Sequence, residues 1–267
     1  VGVLLVALIS LGYVSAAVLF VAQLYNLKQT RRAMAAGWIG FGAESLWLVW
    51  IAIRTRAFPA TTMETWVAFF IWLAVGLYLL FSQRFRLRPV GAFLFPVTAL
   101  VWLASQLVLA PSHPRAASGW LVVHIVSAAL SDAAFLLACV FGIMYIEKER
   151  ELQSKRVRLF YYQLPPLEDM DVWLGRFLVA GWLLFTLTLI SGALWAFTSH
   201  TGLVMGLATE VWALATWVVY GFLLVARIGL HWRGHRLAVS SMVAFLVVLG
   251  NVFGVSLLFP GPHHAGF

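Results

Sequence analysis

Residues 192–220 read GALWAFTSHTGLVMGLATEVWALATWVVY. Two very apolar stretches meet here across a short connection that carries His200 and no basic residue. The second stretch holds a lone acid, Glu210, close to Trp212 and Trp217. Apolar runs of this length exceed ordinary strands, and an open sheet cannot satisfy its backbone in lipid. The stretch therefore predicts two membrane-crossing helices joined by a short connection, with a site on that side of the membrane.

The rest of the chain repeats the pattern. Of 267 residues, 63% are hydrophobic and only 10% charged, with 13 Trp and 20 Phe, a balance that belongs to a polytopic membrane protein and excludes a separate soluble domain. A spanning helix needs about 20 apolar residues. Spans are read at about 2–25, 34–53, 63–82, 89–110, 119–146, 173–198, 203–229 and 238–259. The expected fold is an all-α polytopic transmembrane helical bundle of about eight spans. Residues 1–267 then form a single integral membrane domain, with four N-terminal spans in 1–110 and four more in 118–267. The first stretch, VGVLLVALISLGYVSAAVLFVAQLY, lacks a charged leader and reads as a span rather than a signal peptide.

Charge sets the expected orientation. The formal net charge is +8, but the cations sit in short loops between apolar runs, so they read as topology determinants and headgroup contacts with the lipid bilayer, not as a nucleic-acid surface. One side collects Lys28, Arg31, Arg32, Arg84, Arg86, Arg88, Lys148, Arg150, Lys155, Arg156, Arg158, Arg176, Arg227, Arg233 and Arg236; the other has only Arg54, Arg56 and Arg115. By the positive-inside rule the first side is cytoplasmic and both termini face out.

The substantial polar stretch, 147–172, is expected to be a cytoplasmic connector. Its first part suits a continuation of the fifth helix, ended by Pro165 and Pro166. Glu168, Asp169 and Asp171 then fall where acids complement the start of the sixth helix. Docking of another protein there is the alternative to a solvated connector. The single cysteine, Cys139, excludes an intrachain disulfide, a CxxC pair and a thiolate cluster, and reads as a buried core residue. No nucleophile–base pair, phosphate loop or HExxH motif is present, so no catalytic activity of the chain's own is expected.

The histidines divide by side. His231 and His235, in HWRGH, are spaced to share a helix face, yet their arginine neighbours favour a headgroup cluster over a metal site. His113, His124, His200, His263 and His264 fall at or near the outer face. His124 lies five residues past Gly119, roughly 8 Å down a helix, and an ionisable group at such depth is a candidate functional residue. His263 and His264 follow the break Pro260-Gly261-Pro262, which could turn a histidine back over the mouth of the bundle. Two neutral imidazoles on facing elements can fill both axial positions of a haem iron. A hydrogen-bonded buried histidine, for His124, and a headgroup-lying terminus, for the other two, are the alternatives. Glu44 and Asp132 lie within spans, as a proton path or as interhelical contacts. Asp132 is rotated about 80° from His124, whereas Ser131 lies nearly beneath the imidazole.

Four segments, in order, resemble the cytochrome c assembly family of membrane proteins, of the CcsA and HemX type. HIVSAALSDAAFLLACVFGIMYIEKE (124–149) is similar to that family's histidine-led helix with its SYAAF-like core. LPPLEDMDVWLGRFLVAGWLLFTLTLISGALWA (164–196) resembles its LPxLxxLD segment and the helix closing on GAxWA. EVWALATWVVYGFLLVAR (210–227) resembles ETWALITWLIYAxYLHxR, and VVLGNVFGVSLLFPGPHHAGF (247–267) resembles the terminal helix with its HSYG-like histidine. The likeness covers about 118–267.

The resemblance implies a haem-handling protein that assists cytochrome c assembly or haem delivery at the outer face of the cytoplasmic membrane. It implies haem as cofactor, His124 as the first flanking ligand of the iron and His264, or else His263, as the second. It also implies a partner: a cytochrome c assembly subunit or an enzyme of haem biosynthesis. The chain departs from the family at the loop itself. Residues 200–209, HTGLVMGLAT, occupy the positions of the tryptophan-rich WGxYWxWDPK motif, so its tryptophans and aspartate are absent, and Asp132 stands at the SYAAF tyrosine. That departure keeps alternatives open: a HemX-like regulator or scaffold of tetrapyrrole synthesis acting through 147–172, or a transporter or b-type electron carrier on a similar bundle.

Overall fold

The structure is a computed structural model that describes residues 2–24, 30–85, 87–108, 117–154, 164–198 and 207–249. The order is α1 (Gly2–Gln23), α2 (Thr30–Thr55), α3 (Met63–Phe85), a 3₁₀ turn (Arg88–Val90), α4 (Gly91–Val108), α5 (Gly119–Ser154), α6 (Leu167–Thr198), α7 (Leu207–Ile228) and α8 (His235–Leu249). No strand occurs among the described residues. The all-α polytopic bundle is thus the observed fold. Among the described residues seven helices are long and apolar enough to cross a membrane; α8 is described over 15 residues, fewer than a full crossing.

Two groups of helices meet at α5. α1 packs chiefly on α2 and α4, while α5 packs on α6 and α8. The groups join through α3 and α5, where Phe81, Phe141, Trp173 and Phe177 cluster with ring centroids 5.8–6.4 Å apart. With 36 residues α5 is about 54 Å long, against a hydrocarbon core of about 30 Å, so it must run past the membrane. This agrees with the expected extension of the fifth helix, at least to Ser154. Residues 155–163 lie outside the described residues.

Most helices are apolar on every side, so side-chain size rather than polarity separates inside from outside. In α2 the buried stripe is Ala33, Ala36, Gly37, Gly40, Ala43, Glu44 and Trp47. Gly12 of α1 faces Gly40 so closely that a Cβ on Gly12 would lie 2.6 Å from the Gly40 Cα. Large aliphatics such as Val3, Leu4, Leu11 and Val18 of α1 point outward, where lipid covers them. Tyr13 donates a hydrogen bond to the fully buried Glu44, an interhelical contact of the kind expected for that acid.

The ends of the bundle differ in charge. Among the described residues Arg31, Arg32, Arg88, Lys148, Arg150, Arg176, Arg227, Arg233 and Arg236 lie at one end, and Arg54 and Arg56 at the other. At the basic end Lys148 donates to the carbonyls of Leu164 (2.9 Å) and Pro165 (2.7 Å), holding the chain where it re-enters as α6. α6 starts at Leu167, about a turn and a half before the predicted span, with Glu168 and Asp169 in its first turn. Asp171 bonds Arg227 of α7 (3.1 Å) and the Gly234 amide before α8 (2.8 Å), tying three helices.

Candidate functional site

α5 brings His124 to the arginine-poor end, half-buried against α6. The two helices pack along matching rows. His124, Ser127, Ser131 and Phe135 of α5 meet Gly192, Thr188, Gly181 and Phe185 of α6, positions spaced three and four apart on each helix. The Thr188 hydroxyl donates to Ser127 Oγ at 2.9 Å, and Ser131 Oγ donates to the Gly181 carbonyl, also at 2.9 Å. In a seam with so few polar groups these bonds fix the register of α5 on α6.

The imidazole is held by a single nitrogen. Its Nδ1 lies 2.9 Å from the main-chain oxygen of Thr188. A carbonyl can only accept, so Nδ1 carries the hydrogen and Nε2 keeps its lone pair in the neutral ring. Nε2 has no hydrogen-bond partner among the described residues. A histidine fixed through Nδ1 to a backbone carbonyl with Nε2 free has the arrangement of a metal-ligating imidazole. The donor chemistry at His124 therefore fits haem iron.

The other predicted residues do not gather around it. His263, His264 and His200 lie outside the described residues. Glu210 is exposed in the first turn of α7. Asp132 is buried and lines a small, largely apolar cavity with Trp66, Phe70, Val101 and Phe245. Cys139 is a free, buried thiol, as its setting in an apolar helix predicts. His231 and His235 do not share a helix face: α7 ends at Ile228, His231 adopts a left-handed backbone (φ 54°), and His235 opens α8. His235 instead meets Glu149 of α5 at 2.5 Å. Among the described residues no three His, Cys, Asp or Glu side chains are grouped to hold a metal ion.

Comparison with known proteins agrees with this frame. Residues 43–263 match the family described as Cytochrome C assembly protein. The chain belongs to that family. The match begins within α2, so the kinship extends well before the 118–267 segment in which the motifs are legible. The chain is similar to the "Cytochrome c biogenesis protein CcsA" of Heterosigma akashiwo, 27% identical over 259 residues, covering 83% of this chain and 80% of the relative. The protein of that name from Chlamydomonas reinhardtii is 26% identical over 252 residues, covering 88% and 70%. The one from Prochlorococcus marinus strain NATL2A is 28% identical over 242 residues, covering 79% and 77%.

Within this family member the residues not singled out from sequence are Ser127, Thr188 and Gly192. The available signal was the row Gly181, Phe185, Thr188 and Gly192 on α6, small or polar at every position but Phe185 and spaced at four- and three-residue steps opposite the His124 row.

Proposed function

We propose that this chain is a cytochrome c biogenesis protein that handles haem at the outer face of the cytoplasmic membrane. His124, together with His264 or its neighbour His263, would hold the iron. The observation that carries the reading is the His124 imidazole, bound through Nδ1 to the Thr188 carbonyl with Nε2 left for a metal. Family membership and the name borne by the relatives support the same role.

Bound haem supplies the chemistry of its own attachment to a cytochrome; the chain's share is to hold and orient it. His124 presents Nε2 from a ring that cannot flip without losing its hydrogen bond. Ser127 and Thr188 keep α5 and α6 in the register that places the carbonyl there. Residues 200–209 offer no aromatic platform, so the imidazoles bear a larger share of binding than in a member with the tryptophan-rich motif. The relatives favour assembly over a tetrapyrrole-synthesis scaffold, a transporter or an electron carrier.

An absorption spectrum of the purified protein titrated with haem tests the reading. A Soret band is expected for the wild type, and its loss or displacement in both His124→Ala and His264→Ala. A wild-type protein with no Soret band after haem addition overturns it.

A further inference from the structure

We propose that Gly192 is a positioning residue for His124, setting which imidazole nitrogen is offered to a metal. Its consequence for haem rests on the function proposed above. In an α-helix the carbonyl of Thr188 accepts from the Gly192 amide one turn on, so a side chain at 192 stands beside that oxygen. At this position the neighbour is the imidazole itself. A Cβ on Gly192 would lie 2.9 Å from His124 Nδ1 and 3.0 Å from Cε1, closer than such contacts allow. The absence of a side chain is what lets the ring lie over α6 and reach the oxygen.

Something must move if a methyl group is added, and the seam decides what. Ser127 with Thr188 and Ser131 with Gly181 hold the two helices together one and two turns deeper than this point, and the packed seam beyond them is not disturbed by a methyl group here. The imidazole is the end of a side chain with two rotatable bonds. It therefore swings away while the helices stay. Gly181, on the same row, differs: its Cβ would meet the Phe135 ring at 2.5 Å, within the packed core. Once the ring leaves Thr188, Nδ1–H loses its acceptor and Nε2 loses its fixed direction. Losing an outer-shell partner of a ligand typically weakens metal binding about 10–100-fold.

The test uses the full chain in detergent, with ¹⁵N-labelled histidine. In the haem-free wild type His124 is expected as the Nδ1–H tautomer; in Gly192→Ala that signal is expected to shift to Nε2–H or to a mixture, with haem affinity lowered about 10–100-fold. Thr188→Val keeps the main-chain carbonyl and is expected to keep the wild-type tautomer. The double variant Gly192→Ala/His124→Ala separates positioning from folding: its thermal stability should equal or exceed that of His124→Ala, because the added methyl no longer has the ring beside it and alanine favours the helix. An unchanged tautomer in Gly192→Ala, or a double variant less stable than His124→Ala, overturns the proposal. A wild type that takes up no haem while Gly192→Ala still changes the tautomer removes the haem reading and leaves Gly192 as the positioning residue.

Discussion

The Nδ1 hydrogen of His124, on α5, is donated to the main-chain oxygen of Thr188, on α6, at 2.9 Å. A backbone acceptor cannot be titrated away or rotated out of place, so the orientation of this imidazole is a property of helix packing. It makes the side chain a replaceable part in a fixed socket.

That leads to a rescue experiment. If His124 holds the iron as proposed, the absorption spectrum of haem-loaded protein should change in His124→Gly, or haem should be lost, and free imidazole should restore the wild-type spectrum. Failure of imidazole to change the spectrum of a His124→Gly protein that still holds haem would place the ligand elsewhere.

Glu44 is fully buried, with Oε2 bound by Tyr13 and Oε1 without a partner among the described residues. Tyr13→Phe leaves the whole carboxyl group unsatisfied and should destabilise the protein by about 1–3 kcal/mol. The double change Tyr13→Phe/Glu44→Leu should be less harmful than the sum of the single ones, because it removes both partners. Thermal unfolding in detergent, arranged as a double-mutant cycle, measures the difference; strict additivity would show that the pair contributes nothing.

Glycines on α1 and α2 should respond oppositely to a methyl group. At Gly12 the Cβ would meet backbone of Gly40 at 2.6 Å, so Gly12→Ala must push the helices apart, at a cost of about 1–3 kcal/mol. Gly42 has nothing among the described residues within 4 Å of its Cβ position, and Gly42→Ala should stabilise α2 by up to about 1 kcal/mol. The order of the two melting temperatures checks the α1–α2 crossing.

At the basic end Asp171 satisfies two donors, Arg227 and the Gly234 amide. Asp171→Ala should therefore loosen the 229–234 connection more than Arg227→Ala does, seen as faster cleavage there by added protease. Equal rates for the two variants would mean that the Gly234 contact has no weight.

Much of this organisation was legible without coordinates. Length and apolarity of the runs gave helices near the observed ones, and Glu168 and Asp169 stand at the start of α6 as the charge pattern indicated. The segments around 124–149, 164–196 and 210–227 pointed to the family that residues 43–263 match. His124 was singled out by its depth. His231 and His235 do not share the helix face that their spacing allows, because an i, i+4 spacing has meaning only inside a helix, and the left-handed backbone at His231 and the start of α8 at His235 put the two residues on different elements.

Sequence by itself determined that the chain is a bundle of membrane helices and which family it belongs to, since both follow from the length of apolar runs and the order of motifs. It could not decide which side of each helix faces another helix. In water that choice is written as polar against apolar; in lipid both sides are apolar, and the difference lies in size and shape. Only the tertiary structure brings Gly12 against Gly40, Tyr13 to Glu44 and Asp171 to Arg227. It also decides that, of the two nitrogens of His124, the one facing Thr188 is satisfied and the other has no partner among the described residues.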